Sequence, residues 1–225
     1  MEPFMPCRVR RLARVEYLAT LERMQRFTQT RTSETPDEIW LLEHPAVYTL
    51  GLRARDRLLR ADHGVPVVCA DRGGDVTYHG QGQPIVYVLL DLARRRLGIQ
   101  SLVRALEQSV IDALQEFGIA GERRPGAPGV YVAERKIASL GLRVRGGCSY
   151  HGVALNAAMD LVPFETIDPC GFPGLRVTQL AEWQPDISAA DAGERLLRQV
   201  LLRLRYTEIP VLPLQPSDRA DAYHA

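Results

Sequence analysis

The sequence has almost no lysine. Of its 28 basic side chains only Lys136 is one; the rest are arginine. Against 27 acidic residues they leave a formal net charge of +1. That balance excludes the strong overall attraction that non-specific binding to nucleic acid or to an anionic membrane needs. No run approaches the roughly 20 apolar residues of a membrane-spanning helix. The N-terminus also lacks an apolar stretch ending in a small-residue cleavage site. The expectation is a cytoplasmic protein with no membrane partner. Cysteines are few and scattered: Cys7, Cys69, Cys148 and Cys170 make no CxxC pair, and no histidine stands at zinc-ligand spacing. Neither a structural metal nor a disulfide framework is expected, and each thiol is either a small core residue or a reactive group. The length of 225 residues, 46% hydrophobic, suffices for one sizeable core. Residues 1–212 read as a single domain and the polar, proline-bearing residues 213–225 as a mobile tail.

What is present follows two periodicities. Between residues 15 and 30, Tyr17, Leu18, Leu21, Met24 and Phe27 recur at three- and four-residue steps, which predicts a helix with one buried face. The arginine-rich start, from Arg8 to Arg26, contains Glu16 and Glu22 and reads as a surface helix rather than a transit peptide. Residues 39–42 and 47–50 read as short strands separated by His44-Pro45, where proline interrupts a ladder. Residues 65–69 and 85–90 are apolar runs of strand length and read as buried strands. A helix over 101–117 carries Leu102, Leu106, Val110, Ala113, Leu114 and Phe117 on one stripe, with Gly118 placed to end it. Residues 129–133, 136–144 and 149–157 form a meander with turns at Glu134-Arg135 and Gly146-Gly147, and a last helix covers 189–206.

Short similarities recur without a fixed period: TLGLR at 49–53 and SLGLR at 139–143, then RGGDVTYHG at 72–80 and RGGCSYHG at 145–152. They are either glycine-rich turns entering strands by chance or segments lining one cavity, where small residues let backbone approach a ligand.

Arginine stays charged at any accessible pH, whereas a lysine in a buried apolar site can act as a titratable amine. Lys136 precedes Ile137-Ala138-Ser139-Leu140-Gly141, a setting that favours burial over a residual surface lysine. Cys170 sits in TIDPCGFPG, too rich in proline and glycine for a strand or helix interior, on the irregular kind of segment where function concentrates. Cys7, Cys69 and Cys148 read as core fillers, Cys69 because it ends an apolar strand. A thiol of pKa about 8.5 beside an ammonium becomes a competent nucleophile, and the two groups titrate as a pair. His79 and His151 compete for the base role, each in a Tyr-His-Gly turn, and the residues alone do not rank them against Lys136. The segment RGGDVTYHGQGQ lacks the GxxxxGK[ST] pattern of a phosphate loop.

With those residues in place, the chain resembles the octanoyltransferases of lipoate biosynthesis. The blocks are EHPAVYTLG at 43–51, RGGDVTYHGQGQPIVYVLLDL at 72–92, RKIASLGLRV at 135–144, HGVALNAAMDLVPFETIDPCG at 151–171 and VTQL at 177–180. The resemblance implies an α/β fold, a mixed and largely antiparallel sheet flanked by helices, like the catalytic domains of biotin and lipoate protein ligases. It implies transfer of octanoyl from the phosphopantetheine thioester of acyl carrier protein to a lysine of lipoyl domains, such as those of 2-oxoacid dehydrogenase E2 subunits and the glycine cleavage H protein. It implies no ATP and no metal.

Carried over, Cys170 is the acyl-thioester nucleophile and Lys136 lowers its thiol pKa. Substrate contacts fall on Arg72, Gly73, Gly74, Asp75, Val76, Thr77, Tyr78 and His79, then on Ser139, Leu140 and Gly141, and on Gly152, Val153 and Ala154. His151 is a candidate supporting residue. Gln81 stands where the family usually has proline, which implies a less rigid loop or one extra hydrogen bond. The rivals are an ATP-dependent ligase of the same fold, a Cys-His hydrolase and a non-enzymatic acyl-binding protein. LARRRL at 92–97 is either a dock for an acidic carrier protein or a solvated turn.

Overall fold

Alternation decides the first element. In the computed structural model, which describes residues 4–54, 64–167 and 174–209, Met5–Arg14 is a β-strand (β1). Cys7 and Val9 are buried while Arg8 and Arg10 alternate with them, and Arg10 makes a two-pronged ion pair with Glu38 at 2.6 and 2.8 Å. This corrects the surface helix expected from Arg8: the period there is two, and the helix α1 begins only at Tyr17 (Tyr17–Thr30).

Strands Asp37–Glu43 (β2), Val47–Leu50 (β3), Val67–Cys69 (β4), Val76–His79 (β5) and Ile85–Leu89 (β6) follow, then helix α2 (Ile99–Gln115). Next come Glu122–Arg124 (β7), Ala127–Val132 (β8), Arg135–Arg145 (β9) and Cys148–Leu155 (β10), then helix α3 (Ala189–Arg203) and strand Tyr206–Ile209 (β11). The last helix is shorter than the expected 189–206, because Arg205 turns to φ 57° and Tyr206 opens a strand that the sequence reading lacked. That strand is recruited by a distant partner, β1, with Met5 opposite Tyr206.

Eight strands form one sheet in the order β11-β1-β2-β6-β10-β9-β8-β7. β1 runs parallel to both its neighbours and the other pairings are antiparallel, so the sheet is mixed and largely antiparallel. The meander of β8, β9 and β10 turns through Ala133-Glu134 and Gly146-Gly147, all four at positive φ. One face packs Val86, Val88, Val153 and Leu155 against Leu102, Leu106, Val110 and Leu114 of α2 and Leu196, Leu197 and Val200 of α3. The opposite face sets Ile85, Tyr87, Leu89 and Ala154 against Tyr17, Leu21 and Met24 of α1. Asp37 fastens the sheet edge, taking hydrogen bonds from Arg31 and Arg94 at 2.6 Å each, from the Asp91 amide at 2.8 Å and from the Tyr206 hydroxyl.

A second, three-stranded sheet has the order β4-β3-β5. Its strand β4 corrects two expectations. Residues 65–69 are not a buried strand, since Val67 is 42% exposed, and Cys69 is exposed rather than a core filler. β4 is paired on one side only, with β3, and unlike β5 at the other edge of this sheet it is left largely uncovered by the rest of the fold. In the run 92–97, Arg94 also donates to the carbonyls of Ser33 and Thr35, and Arg95 donates to the Leu204 carbonyl and stacks on Tyr206 at 4.7 Å. Two of its three arginines therefore tie the fold together, and Arg96 is exposed. The expected tail, 213–225, lies outside the described residues. No helix among the described residues is long and apolar enough to cross a membrane.

Candidate active site

A cavity opens between the two sheets, and register explains its shape. On the large sheet Ile85 faces Ala154, which faces Ser139; one step on, Tyr87 faces Gly152, which faces Gly141. These six residues line the cavity from one side, and Tyr17, Val76, Thr77 and His79 line it from the other. Glycine is required at 152 because a Cβ there would stand 2.0 Å from the Val86 carbonyl oxygen. Arg72, Gly74, Asp75, Leu140, His151 and Val153 complete the wall. The cavity thus gathers most of the three expected segments. Gly73 and Tyr78 are outside its lining: the Gly73 amide is spent on the Leu142 carbonyl at 2.8 Å, and the Tyr78 ring packs on Tyr48 and Phe164.

Arg72 is buried and fixes the wall, donating to the Thr49 carbonyl and hydroxyl at 2.8 Å each and to the Gly73 carbonyl at 3.0 Å. Three buried histidines surround the far end. His44 Nδ1 lies 2.6 Å from the Val15 carbonyl, which can only accept, so Nδ1 carries the proton and Nε2 accepts from the Tyr87 hydroxyl at 2.8 Å. Burial holds His44 down at about 4, and burial, aided by His44, holds His79 at about 3. Both rings are neutral at pH 7. His79 Nδ1 donates to Gln83 Oε1 at 2.7 Å, and Gln83 Nε2 donates to Asn156 Oδ1 at 2.9 Å.

His151 sits in the left-handed region, φ 62°, although it lies inside β10. That twist brings its ring onto the same side as Tyr150, the two stacked at 5.0 Å, and within 6.0 Å of Tyr87. Its Nε2 meets Asp71 Oδ1 at 2.9 Å. Asp71 also accepts from the Tyr150 hydroxyl and from Gln25 at 3.1 Å. Burial alone would raise the Asp71 carboxyl, but these donors outweigh it and hold the group below the usual carboxylate range. Burial lowers His151 despite its carboxylate partner.

Lys136 is the second residue of β9 and is 1% exposed. Its Nζ donates to the Pro128 carbonyl at 2.8 Å and stands 5.7 Å from the Tyr131 ring centre. Its own backbone pairs with the segment that follows Cys170: its amide donates to the Arg176 carbonyl, and its carbonyl accepts from the Thr178 amide, both at 2.9 Å. Cys170 itself lies outside the described residues. Among the described cysteines, burial pushes the Cys7 thiol up to about 12 and raises Cys148, which disfavours either as a thiolate. His151 stands opposite Leu142, six residues along β9 from Lys136, or roughly 20 Å at about 3.4 Å per residue. The two are not a direct pair.

His44, Tyr87, Asp71, Gln83 and Asn156 were not singled out from sequence. The EHP and HGQGQ blocks were the available signal for His44 and Gln83; Asp71 meets His151 only through the fold. At Gln81 the side chain accepts from Arg14, a bond proline could not make.

Comparison with known proteins settles the lineage. The family model described as the lipoyl protein ligase A/B catalytic domain matches residues 16–201. An octanoyltransferase of Dechloromonas aromatica (strain RCB) is 56% identical over 200 residues, spanning 89% of this chain and 98% of that protein. The chain belongs to the octanoyltransferase family. Its fold is shared more widely. A lipoate-protein ligase A crystallised with ATP superposes with a TM-score of 0.77 over 97% of this chain and 93% of that one, at 16% identity. The biotin protein ligase of Aquifex aeolicus follows at 0.55, over 89% and 70%, also at 16% identity. At such identity the two ligases share the family's fold and say nothing of its chemistry.

Proposed function

We propose that this octanoyltransferase-family protein moves an octanoyl group from acyl carrier protein to the target lysine of lipoyl domains, through a thioester on Cys170. Residues 1–212 act as one catalytic domain. The observation that carries the reading is a deeply buried Lys136, its backbone hydrogen-bonded to the segment after Cys170, in a chain 56% identical to a named octanoyltransferase.

In the first half-reaction the Cys170 thiol gives its proton to Lys136 and the thiolate attacks the octanoyl carbonyl. The C–S bond to phosphopantetheine breaks, and the departing thiolate takes the proton back from Lys136. In the second, the amine of the acceptor lysine attacks the enzyme thioester; an amide forms, and Lys136 passes the amine's proton to the Cys170 sulfur. Thioester to amide is downhill, so no step calls for ATP or a metal ion.

The cavity is where the acyl chain goes. Ser139 and Gly141 lie three and five residues beyond Lys136, roughly 10 and 17 Å along β9. An extended octanoyl chain of about 9 Å starting near Lys136 therefore just reaches the Ile85–Ala154–Ser139 row, with Tyr87 beyond its end. Each buried methylene adds up to about 0.8 kcal/mol. Acceptor partners fitting this reading are the lipoyl domains of 2-oxoacid dehydrogenase E2 subunits and the glycine cleavage H protein, and a cytoplasmic location suits all of them.

The test is intact-protein mass after incubation with octanoyl carrier protein without ATP. One octanoyl group should appear on the wild type, be absent from Cys170→Ala, and leave when a lipoyl domain is added. Labelling of the lipoyl domain only from ATP and free octanoate would instead make the protein a ligase.

A further inference from the structure

Helix α2 buries an apolar stripe against the large sheet, yet one carboxylate shares that burial: Glu107 is 6% exposed beside Leu102, Leu106, Val110 and Leu114. Packing alone would be served by leucine, and a buried carboxylate needs partners that satisfy it. Both of its oxygens have them. Glu107 Oε2 accepts from Arg123 Nε at 3.1 Å, and Oε1 accepts from the Gly129 amide at 3.1 Å.

That amide belongs to the peptide unit whose carbonyl, on Pro128, accepts from Lys136 Nζ at 2.8 Å. In a planar trans peptide the N–H and C=O point to opposite sides. The 128–129 peptide is therefore held between a carboxylate on one side and the lysine amine on the other. A carboxylate accepting from the N–H polarises the amide and strengthens its carbonyl as an acceptor. Residue 129 must be glycine for this to exist: φ is +135°, and a Cβ would fall 2.5 Å from Lys136 Cε and 2.7 Å from the Ala138 carbonyl oxygen.

We infer that Glu107 is a positioning residue for acyl transfer, fixing the Lys136 amine through the Pro128–Gly129 peptide. The inference rests on Lys136 serving Cys170 as proposed above. Glu107 touches neither the thioester nor Lys136 itself. Arg123, which also donates to Gln108 at 2.7 Å, holds the second carboxylate oxygen and keeps the first aimed at Gly129.

The experiment compares Glu107→Gln, Glu107→Leu and Lys136→Ala in three readouts: kcat and KM with octanoyl carrier protein, the rate of Cys170 alkylation by iodoacetamide with exposed Cys69 as internal reference, and thermal unfolding. Both Glu107 variants should lower kcat with KM unchanged, Glu107→Leu by about tenfold, the loss expected for one charge-assisted hydrogen bond. Cys170 alkylation should slow in step while Cys69 alkylation stays constant. Glu107→Gln keeps the shape and decides the matter if the leucine variant does not fold. Wild-type kcat and Cys170 alkylation in Glu107→Gln, with both lost in Lys136→Ala, would overturn the inference. Wild-type rates in Lys136→Ala would remove the Cys-Lys reading on which it rests.

Discussion

His151 Nε2 lies 2.9 Å from Asp71 Oδ1, and His151 holds φ 62° in the middle of a strand to reach it. A non-glycine residue in that region costs about 1 to 3 kcal/mol, so the contact is maintained against backbone strain. Asp71→Asn keeps one acceptor but loses the charge that receives three donors. It should destabilise the protein by about 1 to 3 kcal/mol and raise KM for octanoyl carrier protein, because His151 and Tyr87 share the cavity's far end. Calorimetry and steady-state kinetics read the two effects; an unchanged KM would separate the pair from the acyl site.

The buried histidines set a pH window. His44 and His79 are held at about 4 and about 3 when folded, below the ordinary value near 6.5. Between pH 7 and pH 4 the unfolded chain therefore binds more protons, and stability falls as pH falls. Each contributes about 2 kcal/mol less at pH 5 than at pH 7 or above. Asp71 adds its own loss only below about pH 4. Melting temperatures should decline through this range, and the slope should flatten in His79→Gln. A flat profile from pH 7 to 4.5 in the wild type would contradict the neutral, buried assignment.

Gly129→Ala tests the passage around Lys136. With φ +135° and a Cβ 2.5 Å from Lys136 Cε, alanine must displace either the lysine or strand β8. Octanoyl loading of Cys170 should drop by about a hundredfold or more, as displacement of a reacting group by 1 Å can cost. Intact-mass time courses measure it, and loading at the wild-type rate would show that the amine's location is not critical.

Ala154→Leu tests the acyl slot. Ala154 lies between Ile85 and Ser139 and is nearly fully buried. Added methylenes should narrow the cavity, raise KM for octanoyl more than for butanoyl carrier protein, and cost about 1 to 3 kcal/mol of stability. Equal effects on both acyl lengths would argue that the chain lies elsewhere.

Elements with their own period were legible from residues alone. The α2 stripe from Leu102 to Leu114 and the meander of β8 to β10, marked by its turn residues, carry their signal locally. Lys136 was readable as buried because Ile137 and Ala138 follow it. The unread parts depend on partners far away in sequence. β11 is a strand only because Tyr206 meets Met5, and the stretch from Arg8 to Arg14 is extended because it pairs along β2. Cys69 looked internal because its neighbours are apolar, whereas β4 is exposed or half-buried along its length while β5, at the other edge of the same sheet, is buried throughout: what covers each strand is set by the tertiary fold. In the site, Asp71 was invisible because its role comes from a contact with His151, 80 residues away, and Glu107 was hidden within a helical stripe.

The pairing of residues 5–8 with 206–209 also governs how the chain can be made. As the protein emerges from the ribosome, β1 and β2 can associate early, but the outer edge of β1 stays unpaired until residues 206–209 have been synthesised. During that interval an arginine-rich strand edge stands open. Arg8 lies on that edge, and Arg10, Arg11 and Arg14 continue the same strand beyond it; their repeated positive charge discourages two nascent copies from zipping together before β11 arrives.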